Sequence, residues 1–290
     1  MLHIGSSRTE VKMRRYRTRR KVAHVLDVLF KLLLSLIFIF PFYWMLISAF
    51  KTNGEIYAFP PTLYPHKPTT EGFSTVFNYF NLWPYIRNTL IVTVAVMALQ
   101  MCTIIPAAYA FAKLKFKGRN FLFTLVLVAQ MVPTQLTFIP VYIMLSKAGI
   151  LRTLWPQILP FGASAYGVFL LRQSFMQVND ELIECAQLDN ANLLQIMYRV
   201  MLPTAKSTLV TVMILCFINH WNGYFWPLVM CTTETIKPIS LVISRLKDVE
   251  DGVDWTAVMA GNLLLMLPTA AAFIAFSKKI IQSLAYKGMK

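Results

Sequence analysis

Charge is scarce in this chain, and acidic charge scarcer still: 14% of its 290 residues are Asp, Glu, Lys or Arg, with 13 acidic against 28 basic. So low a density does not solvate a globular surface, and a hydrophobic share of 57% completes the exclusion of an ordinary soluble domain. Cysteine is sparse as well. Cys102, Cys185, Cys216 and Cys231 form no CxxC pair, which argues against a disulfide framework or a thiolate zinc site and leaves packing as their role. The histidines, His3, His24, His66 and His220, show no HExxH and no convergent spacing, so neither a metal site nor a catalytic constellation is visible. A GxxxxGK[ST] run is absent, which excludes that type of phosphate cradle.

What remains is a sequence of long apolar runs. Residues 1–25 read as a basic polar tail, and 26–50 as a first, uncleaved transmembrane helix whose apolar run is too long for a signal-peptide core. Residues 51–87 turn to Pro, Thr, Asn and aromatic residues and read as an external loop, with Trp83 and Tyr85 suited to a membrane interface. Five further spans are expected at 88–112, 120–145, 156–176, 207–230 and 256–277, within a core of 88–277, followed by a short tail at 278–290. Pro133 and Pro140 imply kinks in the third span.

The excess positive charge is distributed by side. Eight Lys or Arg lie between Arg8 and Lys21, four between Lys113 and Arg119, two at Arg199 and Lys206 and four after Ser277. The loops of opposite parity hold far fewer, Lys51, Lys67 and Arg87, then Lys147 and Arg152, then Lys237, Arg245 and Lys247. By the positive-inside rule the first set is cytoplasmic, which places both termini inside and assigns the charge to membrane lipid rather than nucleic acid. The expected fold class is therefore all-α integral membrane, a six-helix bundle with N-in and C-in topology.

One stretch breaks the apolar pattern. Residues 180–203, DELIECAQLDNANLLQIMYRVMLP, within a loop at 177–206, carry two amphipathic helical patterns. Leu182, Ile183 and Ala186 share a face before a break at Asp189 and Asn190, and Leu193, Ile196, Met197, Val200 and Met201 share one after it. Asp189 is a capping type for the second helix, and Asn190 tolerates the left-handed region. Four acidic side chains, Asp180, Glu181, Glu184 and Asp189, suit a basic protein cleft better than an anionic lipid surface. A partner protein covering the remaining apolar face is the economical reading.

Glu184, Cys185, Ala186, Asp189, Asn190 and Ala191, followed by Ile196, Leu202 and Pro203, resemble the EAA loop of ABC-importer permeases. Cys185 stands where that family usually has Ala, and Asn190 where it usually has Gly. Pro140 to Tyr142, Gly149 to Leu151 with Thr153, Phe169 to Gln173 with Phe175, Trp221 with Asn222, and the closing Gly288 to Lys290 are similar to the carbohydrate-uptake branch, the second permease subunit of maltose-type systems. GEIYAFPP, from Gly54, is similar to that branch's first external loop. The resemblance implies a cytoplasmic helix-turn-helix that couples to an ATPase dimer through Glu181, Glu184, Cys185, Ala186, Asp189, Asn190 and Ala191. It also implies a homologous permease partner, an extracellular or periplasmic sugar-binding protein, and a multi-pass place in a bacterial or archaeal cell (inner) membrane. No cofactor is expected on this chain; ATP and Mg belong to the partner ATPase.

The cores of spans two to six hold no Asp, Glu, Lys or Arg apart from Arg172 near an end, so ion coupling within the chain lacks its usual ionisable group. Uncharged hydrogen-bonding and aromatic residues are present instead. Gln130, Asn219, His220, Trp221, Asn222, Tyr224 and Trp226 are the candidates for a carbohydrate pathway, their alternative role being hydrogen bonds between helices. Gly223 replaces the acidic residue that the family usually has after Trp-Asn. A self-sufficient secondary carrier or channel for a small polar solute is the second reading, although no matched repeats are visible.

Overall fold

The computed structural model describes residues 4–247 and 253–285; the motif at 288–290 lies outside them. Every regular element among the described residues is helical. Helix α1 (Ile4–Ala49) runs unbroken from the basic arm into the first apolar run, so tail and span are one helix. Its apolar part, Arg20–Ala49, is exposed as far as Tyr43, half-buried at Trp44 and Met45, and buried at Ile47, Ser48 and Ala49. Helices α2 (Glu71–Tyr79) and α3 (Leu82–Lys113) follow, the latter long and apolar enough to cross a bilayer, as is the segment Trp255–Ser277 of the last helix. Among the described residues these three helices are the ones that qualify as spans without interruption.

The other expected spans are broken. The third is two helices, α4 (Arg119–Ala129) and α5 (Thr134–Lys147), meeting at 97° across Gln130 to Pro133. Pro140 sits inside α5 without breaking it. The fourth begins as a short turn at Trp155–Ile158, passes through Leu159–Phe161, loses helical form around Gly162 and Ala163, and resumes as α6 (Ala165–Phe175). The fifth is α8 (Lys206–Trp221), a gap at Asn222 to Tyr224, and α9 (Phe225–Met230), with α7 (Asp180–Leu188) preceding it in the central loop.

A helix broken within a bilayer exposes carbonyls that lipid does not satisfy, at a cost of about 1–3 kcal/mol for each one left unpaired. Side chains from neighbouring elements take them up here. Gln100 Nε2 donates to Phe161 O at 2.9 Å and Thr103 Oγ1 to Gly162 O at 2.7 Å. Trp226 Nε1 donates to Pro156 O at 2.8 Å, and Ser240 Oγ to Gly223 O at 2.6 Å. Gly162 permits the approach of α3 to its break, because a Cβ there would lie 2.3 Å from Leu99 Cδ2. Arg172, the charge within α6, is likewise accommodated: Nε donates to Phe111 O at 3.1 Å and the guanidinium lies 4.1 Å from the Phe123 ring centroid.

Two elements were not expected from the sequence. The first is an ordered fold in the loop after α1: Lys51 is buried, its Nζ donates to Thr62 O and lies 4.5 Å from the Trp44 centroid, and Glu55 accepts from His66 N at 2.8 Å. Burial pushes the Lys51 ammonium below its ordinary pKa, with Glu55 opposing that shift. The second is α10 (Ile239–Ser244), a short helix with Ile239, Leu241, Val242 and Ile243 buried between α3 and α11 (Trp255–Ala285). Asn88 Nδ2 donates to Thr235 O at 2.8 Å and Lys237 O at 3.1 Å, Gln157 Nε2 to Ile236 O at 2.9 Å, and Ile239 N to Thr89 Oγ1 at 2.9 Å. The segment 235–239 is thereby fastened into the bundle.

Candidate functional site

The central loop is built as two helices fastened to the end of the bundle. Helix α7 carries Asp180 and Glu181 in its first turn, where the exposed N–H groups favour negative charge. Lys113, the last residue of α3, donates from Nζ to Val178 O and to Asp180 Oδ1. Hydrogen bonding from Lys113, with its charge, holds the Asp180 carboxyl below its ordinary range. A depressed carboxyl stabilises above its unfolded value and loses that contribution only as pH falls through the folded one, so this tie is complete at neutral pH.

Helix α7 ends in a Schellman turn: Asn190 has φ 57°, its N–H donates to Gln187 O at 3.0 Å, and Ala191 N–H donates to Ala186 O at 3.0 Å. Asn190 is the one non-glycine residue with positive φ among the described residues. The cap of the second helix comes from Asn192 rather than Asp189, because two further residues are needed to turn the chain. Asn192 Oδ1 accepts from Gln195 N and Gln195 Oε1 accepts from Asn192 N, both at 2.8 Å. Asn190→Gly is expected to leave melting temperature and transport unchanged, whereas Asn190→Val costs about 1–2 kcal/mol. Thermal melts of the solubilised protein check both, and loss of function in Asn190→Gly contradicts this account of the turn.

Ile183, Ile196, Met197 and Met201 are buried against α3, α6 and α8. Lying beyond the apolar helix cores, where water is the alternative, each such side chain gains about 1.5–3 kcal/mol on burial. Ala186 and Ala191 pack against the same cluster at their half-buried positions, while Glu181, Glu184, Cys185 and Asp189 are exposed. Leu188 is 83% exposed, Leu194 61% and Leu193 52%, so an apolar patch accompanies the acidic one. After Pro203 the chain turns by 86° into α8.

The three helix breaks converge on a cavity of about 450 Å³. Gln135, Ser164, Asn219, His220, Tyr224 and Pro238 reach it from five separate segments. A second cavity of about 930 Å³ opens beside Gln130, and Phe161 and Trp226 line both. Phe161 stands edge-on to Trp226 and to His220, each with centroids 5.1 Å apart and planes at 77°. His220 Nδ1 lies 2.9 Å from Cys216 O. Neither cavity is lined by Asp, Glu, Lys or Arg.

The structure divides the residues expected in a pathway. Asn219, His220, Tyr224 and Trp226 meet at the smaller cavity and Gln130 at the larger, but Trp221 and Asn222 line neither. Trp221 is buried, stacks on Phe217 and donates from Nε1 to Leu265 O at 3.0 Å, facing α11. Asn222 Nδ2 donates to Ile218 O at 3.0 Å and closes the end of its own helix. Gln157, Ser164 and Pro238 line the smaller cavity without having stood out in the sequence; Gln157, between two prolines in an otherwise apolar run, was the available signal. Packing accounts for Cys216 and Cys231, which are buried, but not for Cys102 and Cys185, which are exposed.

The sequence pattern described as "Binding-protein-dependent transport system inner membrane component" matches residues 103–282. The lactose transport system permease protein LacG of Rhizobium radiobacter is 28% identical over 92% of this chain and 96% of its own length. The diacetylchitobiose uptake system permease protein DasC of Streptomyces coelicolor is 30% identical over 87% of this chain and 92% of its own. A solved bacterial ABC transporter involved in import of the acidic polysaccharide alginate contains a chain that superposes with a TM-score of 0.79 at 22% identity, covering 89% of this chain and 96% of that one.

Proposed function

The chain belongs to the family of binding-protein-dependent transport system inner membrane components, and from that membership we infer that it is a permease subunit of an ATP-driven sugar importer. The sugar class is supported by the lactose and diacetylchitobiose relatives, and the route by the convergence of three broken helices on an uncharged polar cavity. That convergence is the observation that carries the reading. Irregular backbone at membrane depth is tolerated where it lines a cavity, and substrate sites form at such discontinuities.

In this reading α1, α3, the bent pair α4–α5, α6 with its lead-in, α8–α9 and α11 are six spans. Both termini and the 180–203 loop are cytoplasmic, and 51–87 is external. The loop's acidic and leucine surface docks on an ATPase, one of two that hold ATP and Mg. A homologous permease supplies the other half of the pathway, and an external or periplasmic binding protein delivers sugar. The first loop helix is pinned by Lys113, and the second runs through a near right-angle turn of 86° into α8, whose last turn carries Asn219 and His220. Movement of the loop is thus transmitted over the roughly 24 Å length of α8 to the cavity. ATP binding favours one orientation through its differential affinity for the two.

The test is reconstitution in proteoliposomes of this chain alone, and of the chain with its partner permease, ATPase and binding protein. Sugar uptake is expected only in the full set and only with ATP. Uptake by the chain alone without ATP replaces this reading with a self-sufficient carrier.

A further inference from the structure

Three of the hydrogen-bonding side chains that line the smaller cavity, Gln100, Gln157 and His220, are fixed by what lies behind them. Gln100 and Gln157 each line it, and each has its amide nitrogen bonded to a main-chain carbonyl, Phe161 O and Ile236 O, at 2.9 Å. A carbonyl partner accepts only from the NH2 group, so the orientation of both amides is determined, and each keeps its Oε1 for a further donor. His220 is held in the same way. Its Nδ1 lies 2.9 Å from Cys216 O, an acceptor, so the neutral ring carries its proton on Nδ1 and leaves Nε2 as a lone-pair acceptor. Phe161, edge-on to His220 at 5.1 Å, fixes the plane of the ring.

Resting on the sugar-importer reading above, we infer that this cavity selects an uncharged, hydroxyl-bearing saccharide and turns away anionic ones, with His220 Nε2 as a specificity-determining acceptor. Three immobilised acceptors match a solute that offers several O–H donors. A carboxylate or phosphate offers lone pairs to the same oxygens and nitrogen, and neither cavity is lined by a Lys or Arg to offset the charge. Removing an anion from water without such a partner is the costlier exchange. The Phe161 and Trp226 rings supply apolar faces for the carbon side of a sugar ring.

The experiment uses the assembled transporter in nanodiscs with its binding protein left out, so that the permease pathway alone discriminates. Ligand-induced thermal stabilisation is measured across concentration series of lactose, maltose, cellobiose and arabinobiose, and of digalacturonate and an alginate disaccharide. At least one neutral sugar is expected to stabilise the complex, with the acidic ones about 10-fold or more weaker. His220→Phe is expected to weaken the neutral sugar about 10-fold, and His220→Gln, which retains an acceptor, to recover most of it. Equal or stronger stabilisation by the acidic sugars overturns the selectivity and leaves the sugar-importer reading standing. Equal affinity in wild type and His220→Phe overturns the role of His220. Stabilisation by neither class removes the sugar reading and this inference together.

Discussion

Glu184→Lys is expected to abolish recovery of the ATPase with the solubilised protein and to reduce ATP-driven uptake by about 100-fold or more, while membrane insertion and folding are unaffected. Glu184 is exposed, on the same helix as exposed Glu181 one turn earlier, and no bond within the chain depends on it among the described residues. Reversal therefore spares the fold. On a docking surface, a charge that loses its partner and meets a like charge costs roughly 2–5 kcal/mol, which is the origin of the magnitude. In the proposed docking the exposed neighbours Leu188, Leu193 and Leu194 would supply contact area without specificity and would not compensate. Tandem purification with quantification of the ATPase is the measurement, and undiminished recovery in Glu184→Lys removes Glu184 from the interface.

The largest effect on stability is expected at Trp226. Its indole is buried, lines both cavities edge-on to Phe161, and satisfies Pro156 O across the lead-in to α6. Trp226→Ala leaves the buried space of the indole empty and a carbonyl unpaired, at a cost of about 3–5 kcal/mol. Trp226→Phe keeps a ring in contact with Phe161 and gives up only the bond, for about 1–2 kcal/mol. Melting curves followed by size-exclusion chromatography distinguish the two, and an alanine variant as stable as wild type shows that the buried indole is not structural.

The parts of this fold legible in the sequence were those set by local chemistry. Asn190 announces a left-handed turn because few other residues tolerate it, and the apolar stripes around it locate both loop helices. The cap was misplaced from Asn192 to Asp189 because both are good capping types and the turn length between helices is not written in either. Spans four and five read as continuous because an apolar count does not register geometry. Their breaks depend on distant donors: Gln100 and Thr103 meet Phe161 and Gly162 some sixty residues away, and Ser240 meets Gly223. Among the pathway candidates, Trp221 and His220 differ by one position and so by about 100° around α8, which sends one towards α11 and the other to the cavity. Composition groups such neighbours together and only packing separates them. Helix α10 went unseen because the six-residue stretch ISLVIS between Pro238 and Arg245 is too short, and too interrupted by serine, to announce a membrane element.

The fastening of 235–237 has a consequence for what evolution is free to rewrite. Asn88 and Gln157 grip three successive main-chain oxygens, and every amino acid, proline included, supplies that oxygen. Side chains at Thr235, Ile236 and Lys237 therefore take no part in these particular bonds. Those side chains can be rewritten without breaking the anchorage of the segment to the bundle, and the demand for identity falls instead on the two amides beneath.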